Sequence, residues 1–140
     1  MPGDKIFLDT NILIYAYDVT AGDKHKIANN ILVTLWKSGT GVLSTQVLQE
    51  FFVNIIQKIP KPIEKALAKN IVRDFLNWDL VVNYGDSILN AIDISSKYGY
   101  SFWDSLIIEA AGRSGAKTLL TEDLADNQIV NHITIKNPFK

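Results

Sequence analysis

The chain has 140 residues, of which 47% are hydrophobic and 21% charged, as expected for one domain that folds around its own apolar core. It has no cysteine and only two histidines, which excludes disulfides and thiol catalysis and leaves zinc hydrolysis and Ser-His-Asp chemistry without a candidate cluster. Its 14 basic and 15 acidic residues give a net charge of −1, which excludes nucleic-acid binding through bulk positive charge.

Strands and helices alternate along the chain. Short apolar runs predict strands over 5–9, 40–44, 79–83, 116–121 and 132–136. Amphipathic spacing predicts helices over 11–18, 23–37, 45–58, 62–77, 86–99 and 101–115. Because the strand cores are almost entirely apolar, we expect a mostly parallel sheet with helices on both faces, a three-layer α/β/α sandwich. Residues 1–140 are expected to form a single domain.

The sequence also predicts where the protein acts. No apolar run approaches the 18 residues of a membrane span, and the first residues lack the pattern of a signal peptide. We therefore expect a cytoplasmic protein that does not enter a membrane.

Four acidic residues lie where the predicted strands end. Asp9 ends the first strand, Glu50 lies on the helix after the second, Asp104 lies in the first turn of the helix before the fourth, and Asp123 follows the fourth. Ligand sites of parallel α/β sheets lie beyond the carboxyl ends of the strands. Carboxylates about 5 Å apart repel by roughly 3 kcal/mol per pair at an effective dielectric of about 20, so such a cluster requires a cation or protonation. Oxygen ligands without histidine or cysteine favour Mg²⁺ or Mn²⁺, which can activate a water beside a phosphate.

Each acid also has a purely structural interpretation. Asp9 can cap the helix that follows it, and Asp104 sits three residues after Ser101, as in a capping box. Glu50 lies among apolar residues, which predicts a half-buried carboxylate in need of a partner. The prediction of a site therefore rests on the convergence of all four acids.

Neighbouring polar residues are candidates for supporting roles. They are Thr10, Asn11, Ser44, Asn54 and Asp126. Each is also an ordinary turn, cap or surface residue, and Asp126 competes with Asp123 and Glu122 for the fourth acidic position. Trp103 is either a core residue or a surface on which a base stacks.

Four segments resemble the motifs of the PIN domain, and within it those of the VapC-type toxin ribonucleases. FLDTNILIYAYD resembles the opening motif, LSTQVLQEFFVNIIQK the second, YSFWDSLIIEAA the third and TLLTEDLADNQ the fourth, and the closing NPF is also similar. The resemblance covers nearly the whole chain. It maps the family's acidic set onto Asp9, Glu50, Asp104 and Asp123, as catalytic residues and ligands of Mg²⁺ or Mn²⁺.

The resemblance implies a sheet of about five strands, a homodimer, metal-dependent cleavage of single-stranded RNA, and a small antitoxin protein as partner. Three alternatives stay open. One is a PIN nuclease that processes RNA outside a toxin–antitoxin pair. The second is a haloacid-dehalogenase-type phosphatase, although that family needs an aspartate where Asn11 stands. The third is a non-catalytic binding module, against which the complete acidic set argues.

Overall fold

The computed structural model describes residues 3–140, and this part of the chain contains six strands and six helices. The strands are β1 (Ile6–Leu8), β2 (Gly41–Ser44), β3 (Asp79–Val81), β4 (Thr118–Leu120), β5 (Ile129–Val130) and β6 (Ile133–Lys136). The helices are α1 (Thr10–Tyr17), α2 (Asp23–Ser38), α3 (Thr45–Gln57), α4 (Lys65–Phe75), α5 (Gly85–Tyr98) and α6 (Phe102–Ser114). All the predicted elements are present, with ends shifted by a few residues.

The strands form one sheet in the order β3-β2-β1-β4-β6-β5. Every neighbouring pair is parallel except β5 with β6. The predicted α/β class with a mostly parallel sheet is therefore confirmed. Because β1 and β4 are neighbours at the centre, the residues that follow them meet at one edge of the sheet.

The expected number of about five strands was wrong by one, because β5 was not predicted. It has only two residues, too few for a recognisable alternation of apolar and polar positions. Asn131 and His132 connect it to β6, and both have positive φ angles, of 49° and 70°. Two such residues between antiparallel strands form the type I′ connection, which sequences usually signal with Asn-Gly.

The helices pack in two groups that leave the sheet as the middle layer. Helix α1 packs against α2 and α3, and α3 packs against α4, whereas α5 packs against α6 and α6 contacts β2, β3 and β4. The centre of the sheet is fully buried at Phe7, Leu43 and Leu119, as expected when both faces are covered. Within residues 3–140, no helix combines the length and the apolar character required to cross a bilayer.

Part of the apolar surface expected to form a dimer belongs instead to the core. The sequence offers six large side chains on α1, on α3 and just after α3 as candidates for an interface: Ile14, Tyr15, Phe52, Ile55, Ile56 and Ile59. Ile55 is fully buried and Ile59 is 6% exposed, so neither is available to a second chain. The other four are only partly buried.

An aromatic cluster closes the core beside the sheet. Phe75 contacts Trp78, Trp36 and Phe51 with ring centroids between 5.3 and 5.9 Å apart. Trp78 lies directly over Gly41 in β2, where an added Cβ atom would stand only 2.2 Å from the indole ring. Glycine at this position therefore allows the indole to pack against the strand.

We predict that Gly41→Ala lowers the free energy of unfolding by about 1–3 kcal/mol, because the rigid indole of Trp78 must move. Gly85→Ala is the matched control, since no atom lies within 4 Å of its added Cβ. Urea unfolding of both variants measures the difference. Equal stability of the two variants would contradict the close packing.

Candidate functional site

Asp9 is the buried centre of the candidate site. It follows β1, caps α1, and is 6% exposed. Its Oδ1 accepts a hydrogen bond of 2.7 Å from the backbone N–H of Thr10, and its Oδ2 accepts one of 2.8 Å from the hydroxyl of Thr121. Leu8 pairs with Leu120, so the residues that follow them, Asp9 and Thr121, stand side by side. Asp9 therefore caps α1 and also stands at the edge of the sheet where the candidate site was expected.

The pKa of Asp9 is raised from 3.8 to about 6. Burial is the main cause, because it disfavours the charged carboxylate. The hydrogen bonds from Thr121 and Thr10 oppose this increase, and the negative charges of Asp123 and Asp104 add to it. Three of the four predicted acids thus interact electrostatically at the sheet edge.

Asp104 approaches this centre from the first turn of α6. The Ser101 hydroxyl caps the helix by accepting a 3.1 Å hydrogen bond from the Asp104 N–H, which confirms Ser101 as the N-cap. The carboxyl group of Asp104 is half-buried, and its pKa is raised, chiefly by burial and further by the charge of Asp123. The hydrogen bond with Ser101 acts in the opposite direction.

Asp123 is the acid of the 121–126 loop that faces Asp9. Its Oδ2 accepts a 2.8 Å hydrogen bond from Asn11 Nδ2, and its backbone N–H donates to Thr121 Oγ1 at 3.1 Å. Asp126 instead accepts a 2.8 Å hydrogen bond from the backbone N–H of Asn137.

Glu122 is also engaged away from Asp9. It forms an ion pair of 2.8 Å with Lys24 and accepts a hydrogen bond from the Tyr15 hydroxyl. Of the three acids in the loop, Asp123 is therefore the one placed beside the buried aspartate.

Glu50 does not join the other three acids. Its side chain is exposed rather than half-buried, so that expectation was wrong, and it is not among the charges that raise the pKa of Asp9 or Asp104. It is connected to α6 through Gln46, whose Nε2 donates to Glu50 Oε1 at 2.8 Å and to the Trp103 carbonyl at 3.4 Å. Glu50 therefore lies at the rim, one side chain away from the turn that carries Asp104.

The supporting candidates divide into two kinds. Thr10 and Asn11 stand beside Asp9 and Asp123, and Thr10 Oγ1 and Asn11 Oδ1 are buried without a hydrogen-bond partner. Ser44 caps α3 by accepting from the Val47 N–H at 3.3 Å. Asn54 donates to the Glu50 carbonyl of its own helix at 2.8 Å. Asn11 contacts the acidic centre through its side chain and Thr10 through its backbone N–H, whereas Ser44 and Asn54 stabilise α3.

Sequence reasoning missed Thr121 and Gln46. Thr121 is fully buried and connects Asp9, Asn11 and Asp123 through hydrogen bonds. It could have been found from the order of the strands, because in a parallel pair the residues that follow two neighbouring strands are adjacent. Gln46 had no such signal, since its contact with Trp103 joins positions 57 residues apart.

A divalent cation such as Mg²⁺ needs several oxygen ligands at about 2 Å. Within residues 3–140, no three His, Cys, Asp or Glu side chains stand close enough together to hold a metal as they are placed. The carboxylates nevertheless repel one another, because Coulomb interactions act over longer distances than coordination bonds of about 2 Å. The atoms at the centre are carboxylate, amide and hydroxyl oxygens, of which Thr10 Oγ1 and Asn11 Oδ1 have no partner. This set fits Mg²⁺ or Mn²⁺ and does not fit a soft metal.

The fold and this site define an α/β protein with an acidic centre beyond its central parallel strands. The chain belongs to the PIN domain family, whose model matches residues 6–127. No protein with a curated functional description is significantly similar to it.

Several solved structures share the fold at low sequence identity. A toxin–antitoxin complex from Klebsiella pneumoniae is 16% identical with a TM-score of 0.70, and the match covers 96% of this chain and 98% of that chain. VapC20 from Mycobacterium tuberculosis, described as a toxin that cleaves the sarcin-ricin loop, is 18% identical with a TM-score of 0.65, covering 82% and 87%. VapBC2 from Rickettsia felis, bound to a promoter DNA fragment, is 21% identical with a TM-score of 0.62, covering 94% and 97%.

We predict that Asp9→Asn stabilises the metal-free protein at neutral pH. Raising the pKa of Asp9 from 3.8 to about 6 means that the folded state holds its proton more tightly than the unfolded state. The contribution of protonated Asp9 to the free energy of unfolding is complete below about pH 4. It is lost as the pH rises through about 6, which lowers the free energy of unfolding by about 3 kcal/mol. The asparagine amide nitrogen cannot accept a hydrogen bond, which costs about 1 kcal/mol, so a net gain of about 1–2 kcal/mol remains at pH 7.

Urea unfolding in EDTA between pH 4 and 8 measures this effect. The advantage of Asp9→Asn over the wild type must shrink as the pH falls. Asp86→Asn, which changes an exposed acid in the first turn of α5, is the control. An advantage that is constant across this range would show that burial of the Asp9 charge is not its source.

Proposed function

We propose that this protein is an endoribonuclease that cleaves single-stranded RNA with Mg²⁺ or Mn²⁺, and that it is the toxin of a type II toxin–antitoxin pair. The observation that carries the proposal is the meeting of Asp9, Asp104 and Asp123 at one sheet edge, where burial and, in addition, the charges of Asp123 and Asp104 raise the pKa of Asp9. A protein gains nothing in stability from such repulsion. The arrangement is explained if a cation neutralises it during function.

The three aspartates would hold the metal, with Asp9 as the innermost ligand. Thr10 and Thr121 orient the two oxygens of Asp9, and Asn11 orients Asp123. Glu50, positioned by Gln46, completes the acidic set from the exposed rim. When bound, the cation supplies charge neutralisation for the phosphate and lowers the pKa of the attacking water.

The proposed toxin role rests on the family and on the structures that share the fold. One of them is a toxin–antitoxin complex, one is VapBC2 bound to DNA, and one is described as a toxin that cleaves the sarcin-ricin loop. For this chain we infer a small antitoxin protein as partner. A single-stranded RNA substrate implies that it acts in the cytoplasm.

We predict that Asp104→Asn lowers the rate of RNA cleavage about 10²–10³-fold without lowering the melting temperature of the metal-free protein. Asparagine still accepts and donates hydrogen bonds in the first helical turn, so a purely capping residue would tolerate the change with a loss of about 1 kcal/mol or less. A metal ligand would not tolerate it, because a negative charge is removed from the cation.

The experiment pairs a cleavage assay on single-stranded RNA in excess Mn²⁺ with thermal melting in EDTA. Asp86→Asn, which removes an equivalent first-turn acid from α5, is expected to cleave at the wild-type rate. EDTA is expected to stop cleavage by all forms. If Asp104→Asn melts lower yet cleaves as fast as the wild type, Asp104 is structural and the proposed site is wrong.

We also infer a homodimer. After Ile55 and Ile59 are assigned to the core, the groove between α3 and α4 still exposes apolar surface at Phe52, Val72 and Leu76, of which Leu76 is 53% exposed. Light scattering is expected to give about 31 kDa, twice the 15.7 kDa of one chain. Leu76→Glu is expected to shift the mass towards the monomer because it places a charge in the apolar groove. A wild-type mass near 16 kDa would refute the dimer.

A further inference from the structure

We propose that the indole of Trp103 is a base-stacking subsite, which holds an unpaired nucleobase next to the phosphodiester presented to the acidic centre. This inference rests on the proposed ribonuclease function and adds a substrate-binding residue to it. Its ligand is the flat face of a nucleobase in single-stranded RNA.

The first argument is the exposure of Trp103. Its side chain is 65% exposed, whereas Trp78 is buried and Trp36 packs against Phe75 and Trp78. Phe102 meets the Trp103 ring nearly edge to face, at 76° with centroids 5.2 Å apart. That contact supports the indole from one side and leaves ring surface open to solvent.

The second argument is that the turn carrying Trp103 is held firmly. Its carbonyl accepts a hydrogen bond from Gln46 Nε2, and the next residue, Asp104, donates its N–H to Ser101. Gln46 is itself 6% exposed and also binds Glu50. The backbone that carries the indole is therefore fixed relative to both Glu50 and Asp104.

The third argument is the relation between Trp103 and Asp104. Consecutive residues of an α-helix project about 100° apart, so the indole flanks the acidic centre and does not occupy it. A strand whose phosphate lies at Asp104 then has a neighbouring base beside Trp103. Isolated exposed apolar residues are ordinary on protein surfaces, but this one adjoins the carboxylates that the reaction needs.

Stacking at this position would also select for single strands. A base in an A-form helix is already stacked between its neighbours, whereas an unpaired base can turn its face to an aromatic side chain. Stacking tolerates every base, so Trp103 would select for an unpaired nucleotide more than for a particular sequence.

The first test compares Trp103→Leu with Trp103→Phe in steady-state cleavage of a short, unstructured RNA of mixed sequence, with Mn²⁺ present. Leucine keeps an apolar side chain without a flat ring, whereas phenylalanine keeps the ring. We expect Trp103→Leu to raise KM about 5- to 100-fold with kcat changed less than about threefold, and Trp103→Phe to recover most of the loss. Ile129→Ala, which truncates a side chain that is 67% exposed on β5, is expected to match the wild type.

The second test places a single abasic nucleotide at each position of the same RNA in turn. The wild type is expected to lose affinity strongly when the abasic nucleotide stands at one position near the cut. The affinity of Trp103→Leu is expected not to change with an abasic nucleotide at that position, because the substitution and the missing base remove the same contact. If the wild type cleaves the RNA and Trp103→Leu has the same KM as the wild type, the stacking subsite is overturned and the proposed function is not. That result would also be obtained if Trp103 served to bind a protein partner. A wild type that cleaves no RNA overturns the proposed function and this inference with it.

Discussion

The pairing of β1 with β4 at the centre of the sheet determines where the acidic residues meet. Because Leu8 lies opposite Leu120, the chain leaves both strands at the same level, and Asp9 and Thr121 come into contact. The 121–126 loop then brings Asp123 to Asn11, the residue two positions after Asp9. A shift of this register by one residue would separate Asp9 from Thr121 and so divide the centre.

The acidic centre lowers the stability of the fold. Burial and the neighbouring charges both disfavour the ionised form of Asp9, and the hydrogen bonds from Thr121 and Thr10 compensate only in part. Buried oxygens without partners at Thr10 and Asn11 add to the cost. Two other acids are paired with a positive charge: the buried Glu109 with Arg113 at 2.9 Å, and Glu122 with Lys24 at 2.8 Å. The contrast distinguishes acids that are paired with a positive charge from the three aspartates, which repel one another.

The sequence was sufficient for features that depend on local patterning. Apolar runs and caps located β1 to β4, β6 and all six helices, and the rule that parallel strands end at a common edge brought together Asp9, Asp104 and Asp123. It was insufficient where a tertiary contact decides the outcome. Nothing local to Glu50 indicates that Gln46 binds it at the rim, and nothing local to Asp126 indicates that its carboxylate binds the backbone of Asn137. The two-residue strand β5 exists through its pairing with β6 and carries too little pattern of its own.

The long separation between the two halves of the centre has a consequence for a chain that is still being synthesised. Asp9 and Thr121 are 112 positions apart, so β1 lacks its β4 neighbour until most of the chain has left the ribosome. Until then Asp9 lacks the hydrogen bond from Thr121 and the neighbouring charge of Asp123. The acidic centre is therefore among the last features of the molecule to form during translation, and a chain that ends before β4 has only part of it.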